Sequence, residues 1–113
     1  MHELSIAQSI IDIVKENVPA EKLGELRNVR IEVGDVSGVV ADSLQFCFDA
    51  IKSGNSLADA ELVIKKIPFV LYCYKCKAES TNTSGIRMCG ICSEFNTKII
   101  SGTEMHITEV ELI

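Results

Sequence analysis

Two close pairs of thiols, Cys73-Tyr-Lys-Cys76 and Cys89-Gly-Ile-Cys92, stand twelve residues apart. Each pair fits a tight turn that aims both sulfurs at one ion, so together they offer tetrahedral sulfur coordination. Zinc is the favoured ion. Mononuclear iron is its chemical competitor, because thiolate geometry alone does not separate the two. In a reducing compartment the same four thiols read as a metal site more readily than as two disulfides. Four protein ligands leave no open coordination position, so the role is structural or regulatory and not hydrolytic. Lys77 and Ser93 follow the pairs at positions where glycine often eases such a turn.

The other dense set of donors is Met1-His2-Glu3. The Met1 amine and the His2 amide nitrogen can close a five-membered chelate ring, and the His2 imidazole closes a six-membered ring on the same amide. Planar nitrogen donors of this kind suit Ni(II) or Cu(II). Any second residue can be histidine by chance, however, and most exposed histidines bind nothing, so the bland reading stands beside the metal one. His106, alone on a strand, reads as a surface residue, and Cys47 as a small core hydrophobe.

Composition narrows the function classes. A chain of 113 residues that is 47% hydrophobic and 24% charged fits one domain able to bury a core without disulfides. A net charge of -5 argues against duplex nucleic acid as the main partner, since phosphate affinity comes from clustered Lys and Arg. No apolar run approaches the roughly 20 residues that cross a bilayer, and the start lacks the pattern of a signal peptide. The expected location is the cytoplasm. No nucleophile-base arrangement or phosphate-binding glycine loop marks an enzyme.

These donors need elements to position them. Leu4, Ala7, Ile11, Val14 and Val18, widened by Ile6, Ile10 and Ile13, predict a helix over 4–18, stopped by Pro19. It would place the N-terminal amine near its positive end. Val29, Ile31 and Val33 alternate with Arg30 and Glu32 as in a half-buried strand. A second helix over 41–52 is expected to turn Leu44, Cys47, Phe48 and Ile51 inward and to end at Gly54. Residues 60–67 predict a strand. In 104–113 the alternation changes phase between Ile107 and Val110, which a β-bulge would repair. The expected fold class is α+β: a small mixed sheet of about three strands with two helices, plus an inserted four-cysteine zinc-ribbon-like unit. The expected domains are an α/β domain, 1–68 with 99–113, and an inserted zinc-binding domain, 69–98.

Taken together, the opening Met1-His2-Glu3-Leu4-Ser5, the turn Gly34-Asp35-Val36-Ser37-Gly38-Val39 before the second helix, and the paired cysteine motifs resemble the HypA family of hydrogenase nickel-incorporation proteins. The match covers the whole chain in length and order. It implies a metallochaperone, not an enzyme, that delivers Ni(II) as cargo during [NiFe] hydrogenase maturation, with some relatives serving urease. His2 matches the family's nickel ligand, with the Met1 amine and Glu3 as contributors, and Cys73, Cys76, Cys89 and Cys92 match its zinc ligands. Implied partners are a HypB-type GTPase and the hydrogenase large-subunit precursor, with a homodimer as a further candidate assembly and no nucleic acid or membrane. The rival reading is a zinc-ribbon module contacting protein or nucleic acid. Lys75, Lys77, Arg87 and Lys98 against Glu79 and Glu94 give 69–98 a mild positive excess for it.

Overall fold

The computed structural model describes residues 3–113; Met1 and His2 lie outside the described residues. Helix α1 covers Glu3–Asn17, and a 3-10 turn, Ala20–Glu25, leads from Pro19 into strand β1, Leu26–Gly34. Helix α2, Ala41–Ile51, crosses over to β2, Glu61–Ile67, which pairs parallel with β1. Three further strands, β3 (Val70–Cys73), β4 (Glu79–Ser80) and β5 (Thr97–Ser101), form a second, antiparallel sheet in the order β4-β3-β5. The chain then returns as β6, Met105–Leu112, antiparallel on the free side of β1. The first sheet is therefore mixed, ordered β2-β1-β6. This is the expected α+β architecture, with the cysteine-bearing unit inserted between β2 and β6.

The period-2 alternation of β1 does what it should: Val29, Ile31 and Val33 are buried, while Arg30 and Glu32 lie on the other face. Ile107 pairs with Ile31 but Glu109 pairs with Arg30, so Thr108 is the extra residue of a bulge on β6. That bulge restores the apolar phase, setting Val110 beside Val29. On the face away from the core, His106 Nε2 meets Glu32 Oε1 at 3.0 Å and Arg30 approaches Glu111 at 3.9 Å.

Both helices cover the other face. Ile6, Ala7, Ile10, Ile11 and Val14 of α1 meet Leu44 and Phe48 of α2 over the sheet in one core cluster. Leu4 and Ile13 were expected in that stripe but are 52% and 46% exposed; the helix turns Ile6 and Ile10 inward, so these two sit on its shoulder. Cys47 and Ile51 pack against the cluster partly buried. Gly54 does not end α2. The helix stops at Ile51, whose carbonyl accepts from Asn55 Nδ2 at 2.9 Å, and the left-handed residue is Ser56 (φ 68°). Glu3 reaches Val40 at the start of α2, and Lys15 reaches Asn55 beyond its end. The two helices thus run in the same direction, with their positive ends together.

The molecule is elongated, 54 × 22 × 17 Å. The two sheets join at a close backbone crossing, where the Gly34 N–H donates to Glu104 O, Asp35 N–H to Ile67 O and Val36 N–H to Gly102 O. A side chain on Gly34 would lie 2.1 Å from the Gly102 backbone, so this approach requires glycine.

Candidate metal centre

Strand β3 delivers Cys73 at its last residue, and the chain turns at once through Cys76. The Cys76 N–H points at Cys73 Sγ (3.5 Å), Lys77 N–H donates to Cys73 O (2.8 Å), and Cys73 N–H donates to Ala78 O (3.0 Å). The second pair repeats this local pattern. Ile91 and Cys92 N–H point at Cys89 Sγ (3.4 and 3.5 Å), Ser93 N–H donates to Cys89 O (3.1 Å), and Cys89 N–H donates to Glu94 O (2.8 Å). Lys77 (φ 56°) and Ser93 (φ 63°) are left-handed, so the two positions where glycine eases such turns carry that conformation without it.

All four Sγ atoms lie within 4.8 Å of one another, with Cys73–Cys92 at 3.6 Å and Cys76–Cys89 at 3.7 Å. Sulfurs at the tetrahedral corners around a zinc with Zn–S of 2.3 Å would be about 3.8 Å apart. The donor set and its spacing could therefore hold a structural zinc. Cys73 and Cys89 are buried, whereas Cys76 and Cys92 lie on the solvent side. Ser80 Oγ donates to Cys89 Sγ at 3.7 Å and accepts from Gly90 N–H at 3.0 Å, tying β4 to the second turn. Sequence reasoning missed Ser80; a lone hydroxyl in a polar stretch carries no signal.

The ion-free thiols are electrostatically unequal. N–H groups of Cys92 and Ile91 hold the Cys89 thiol down to about 6, and the Cys76 and Lys75 N–H groups also lower Cys73 against its burial. Desolvation pushes Cys76 up to about 12. At Cys92 the Glu94 N–H lowers the value, but burial and the neighbouring Cys73 and Cys89 thiols raise it further. Main-chain N–H groups thus favour the thiolate at the first cysteine of each pair, and a divalent cation would supply the charge that ionises the second.

Among the described residues no second cluster of three or more ligand-type side chains occurs. The expected nickel donors Met1 and His2 lie outside the described residues. Glu3 opens α1, and its Oε2 accepts from Val40 N–H at 3.5 Å. His106 points to the sheet face opposite the helices and pairs with Glu32. Among the described residues, no helix is long and apolar enough to cross a membrane.

Residues 1–112 match the family described as hydrogenase/urease nickel incorporation, metallochaperone, HypA. The chain is 35% identical over 112 residues to a hydrogenase maturation factor HypA of Geotalea uraniireducens, covering 99% of each chain. It is 37% identical to one of Nostoc sp., covering 99% of this chain and 96% of that one. Its fold is similar to a solution structure of HypA protein (TM-score 0.68, 23% identity, 100% and 97% covered). It also resembles the solution structure of the Ni metallochaperone HypA from Helicobacter pylori (TM-score 0.65, 23% identity, 100% and 98% covered). With a match from end to end and the paired cysteines assembled into one centre, this chain belongs to the HypA family of hydrogenase/urease nickel-incorporation metallochaperones.

Proposed function

We propose that this chain carries Ni(II) on its N-terminus and delivers it in the cytoplasm to the [NiFe] hydrogenase large-subunit precursor, working with a HypB-type GTPase. The observation that carries this reading is the family match across residues 1–112, a span that includes Met1-His2-Glu3. His2 is the principal nickel ligand, its amide and imidazole closing chelate rings with the Met1 amine, and Glu3 contributes to the site. Cys73, Cys76, Cys89 and Cys92 hold zinc, which fixes the shape of the inserted unit. The chemistry is transfer without turnover: nitrogen donors at a chain end hold nickel yet leave it accessible to a partner. Copper(II) binds such donors more tightly than nickel, so selectivity comes from availability and partners and not from the site alone.

Nickel requires a neutral imidazole, so its affinity falls as pH drops through about 6.5, the ordinary histidine value. The deciding experiment is calorimetric Ni(II) titration of untagged, zinc-loaded protein, comparing wild type with His2→Ala at equal zinc content. Loss of nickel binding in His2→Ala with zinc unchanged is the expected result; equal binding in both removes His2 from the site. As for a nucleic-acid module, the four-thiolate zinc centre would carry two negative charges, which cancel the local excess of residues 69–98.

A further inference from the structure

We infer that Glu3 acts as a positioning residue, its carboxylate bridging the N-termini of α1 and α2 and anchoring the nickel-bearing chain end to α2; this rests on the nickel reading proposed above. Helix α2 begins at Val40, which offers no side-chain cap of its own. Four other N–H groups of the preceding turn find partners nearby: Asp35 on Ile67 O, Val36 on Gly102 O, Ser37 on Gly34 O and Val39 on Ser37 Oγ. Val40 N–H instead finds Glu3 Oε2, from 37 positions away in the chain. Glu3 also stands in the first turn of its own helix. Because the helices run in the same direction, their two positive ends meet at this carboxylate, the one arrangement in which a single anion answers both. Lys15 on Asn55 pins the opposite end of the pair.

The consequence for nickel is twofold. A dication held within two residues of Glu3 sits beside two helix N-termini, whose partial positive charges oppose it. Glu3 offsets that field from a position fixed by Val40. It also holds the first turn of α1 against the start of α2. In this arrangement the carboxylate serves nickel through charge and placement, while the nitrogen donors bind the ion.

The test uses untagged, zinc-loaded Glu3→Ala, Glu3→Gln and Val40→Pro proteins. Proline, with φ of about -65°, needs only a modest adjustment from the -87° of Val40 and removes the N–H that Glu3 uses while keeping the carboxylate. In nickel-free protein, Val40 amide exchange should accelerate about two- to tenfold in Glu3→Ala, the worth of one net hydrogen bond. On Ni(II) titration, affinity should fall about two- to fivefold in Glu3→Ala and in Val40→Pro, with Glu3→Gln between them and wild type. The nickel absorption bands should keep their energies in all three. A band shift in Glu3→Ala and Glu3→Gln would make the carboxylate a ligand and overturn the inference. Unchanged Val40 exchange in Glu3→Ala, or wild-type affinity in Val40→Pro, would overturn it as well. Failure of the nickel reading is seen separately, as nickel binding that survives His2→Ala, whereas the Val40 exchange result is read without nickel.

Discussion

Gly102→Ala strikes the crossing that joins the two sheets, and its cost can be worked from the geometry. Gly102 has φ of 113°, a conformation that L side chains rarely adopt, and an added Cβ would lie 2.6 Å from Phe69 Cα and 3.0 Å from Phe69 Cβ and Cδ1. The shortest of these approaches is to a main-chain atom of Phe69, so no rotamer relieves it. Strained φ costs about 1–3 kcal/mol and overpacking adds about 1–3 kcal/mol, giving about 2–6 kcal/mol in all. That is a large share of a typical stability of about 5–15 kcal/mol. Thermal unfolding of zinc-loaded protein should show Tm lowered by about 8 °C or more. Gly54→Ala is the control, because nothing lies within 4 Å of its added Cβ and its φ is ordinary; it should be neutral or stabilising by about 0.4–1 kcal/mol. A Gly102→Ala protein melting within about 2 °C of wild type would refute the close crossing.

Other perturbations probe the metal centre. Zinc must displace protons at least from Cys76 and Cys92, whose values are raised, while Cys89 is already ionised above about 6. Apparent zinc affinity should therefore rise at least about 100-fold per pH unit near neutrality and more steeply below pH 6; calorimetry in buffers of different ionisation enthalpy that counts fewer than two released protons at pH 7 would sink this. Lys77→Gly and Ser93→Gly each relieve a left-handed residue and should raise Tm, stabilising by about 0.5–1 kcal/mol after the entropy cost of glycine. Chelating the zinc should abolish amide-exchange protection in β3 and β5 while sparing Val29–Val33, because the main core cluster draws nothing from residues 69–101; equal loss in both sheets would show a single cooperative unit. Any coupling between the metals must be reciprocal, so the factor by which zinc changes nickel affinity should equal the factor by which nickel changes zinc affinity, and equal nickel affinity with and without zinc would exclude coupling.

The elements written in side-chain pattern were legible in the sequence, and those written in backbone were not. Cysteine spacing located the metal centre, because two short turns suffice to converge four sulfurs. The phase change between Ile107 and Val110 anticipated the bulge at Thr108, since side-chain parity reports on strand register directly. By contrast, β4 lies in a polar stretch rich in Ser, Thr and Asn, with no apolar alternation to mark a strand. Its pairing to Leu71 and Tyr72 is made by main-chain groups that any residue supplies. The left-handed residue after α2 is Ser56, and no rule of composition selects it over Gly54; the Asn55 side chain on Ile51 O settles the local turn. Glu3 was legible as a donor but not as the partner of Val40, an interaction that depends on how the two helices pack.

A carrier that releases nickel faces competition from its own thiols, which are softer and more charged donors than an N-terminal imidazole. Four of the five cysteines converge on one centre. With zinc bound there, every one of these sulfurs is engaged and the coordination shell is closed. The fifth, Cys47, packs against the core cluster on α2, and with one sulfur it offers no chelate. Filling the thiolate site with zinc thus does more than hold β3 and β5 around it: it withdraws the strongest competing donors from the cargo. On the proposed reading, nickel would then be left to the N-terminal nitrogen donors, whose Irving–Williams affinity is that of a short chelate. On that reading, the permanence of zinc at the thiolates would be a condition for the lability of nickel at the chain end.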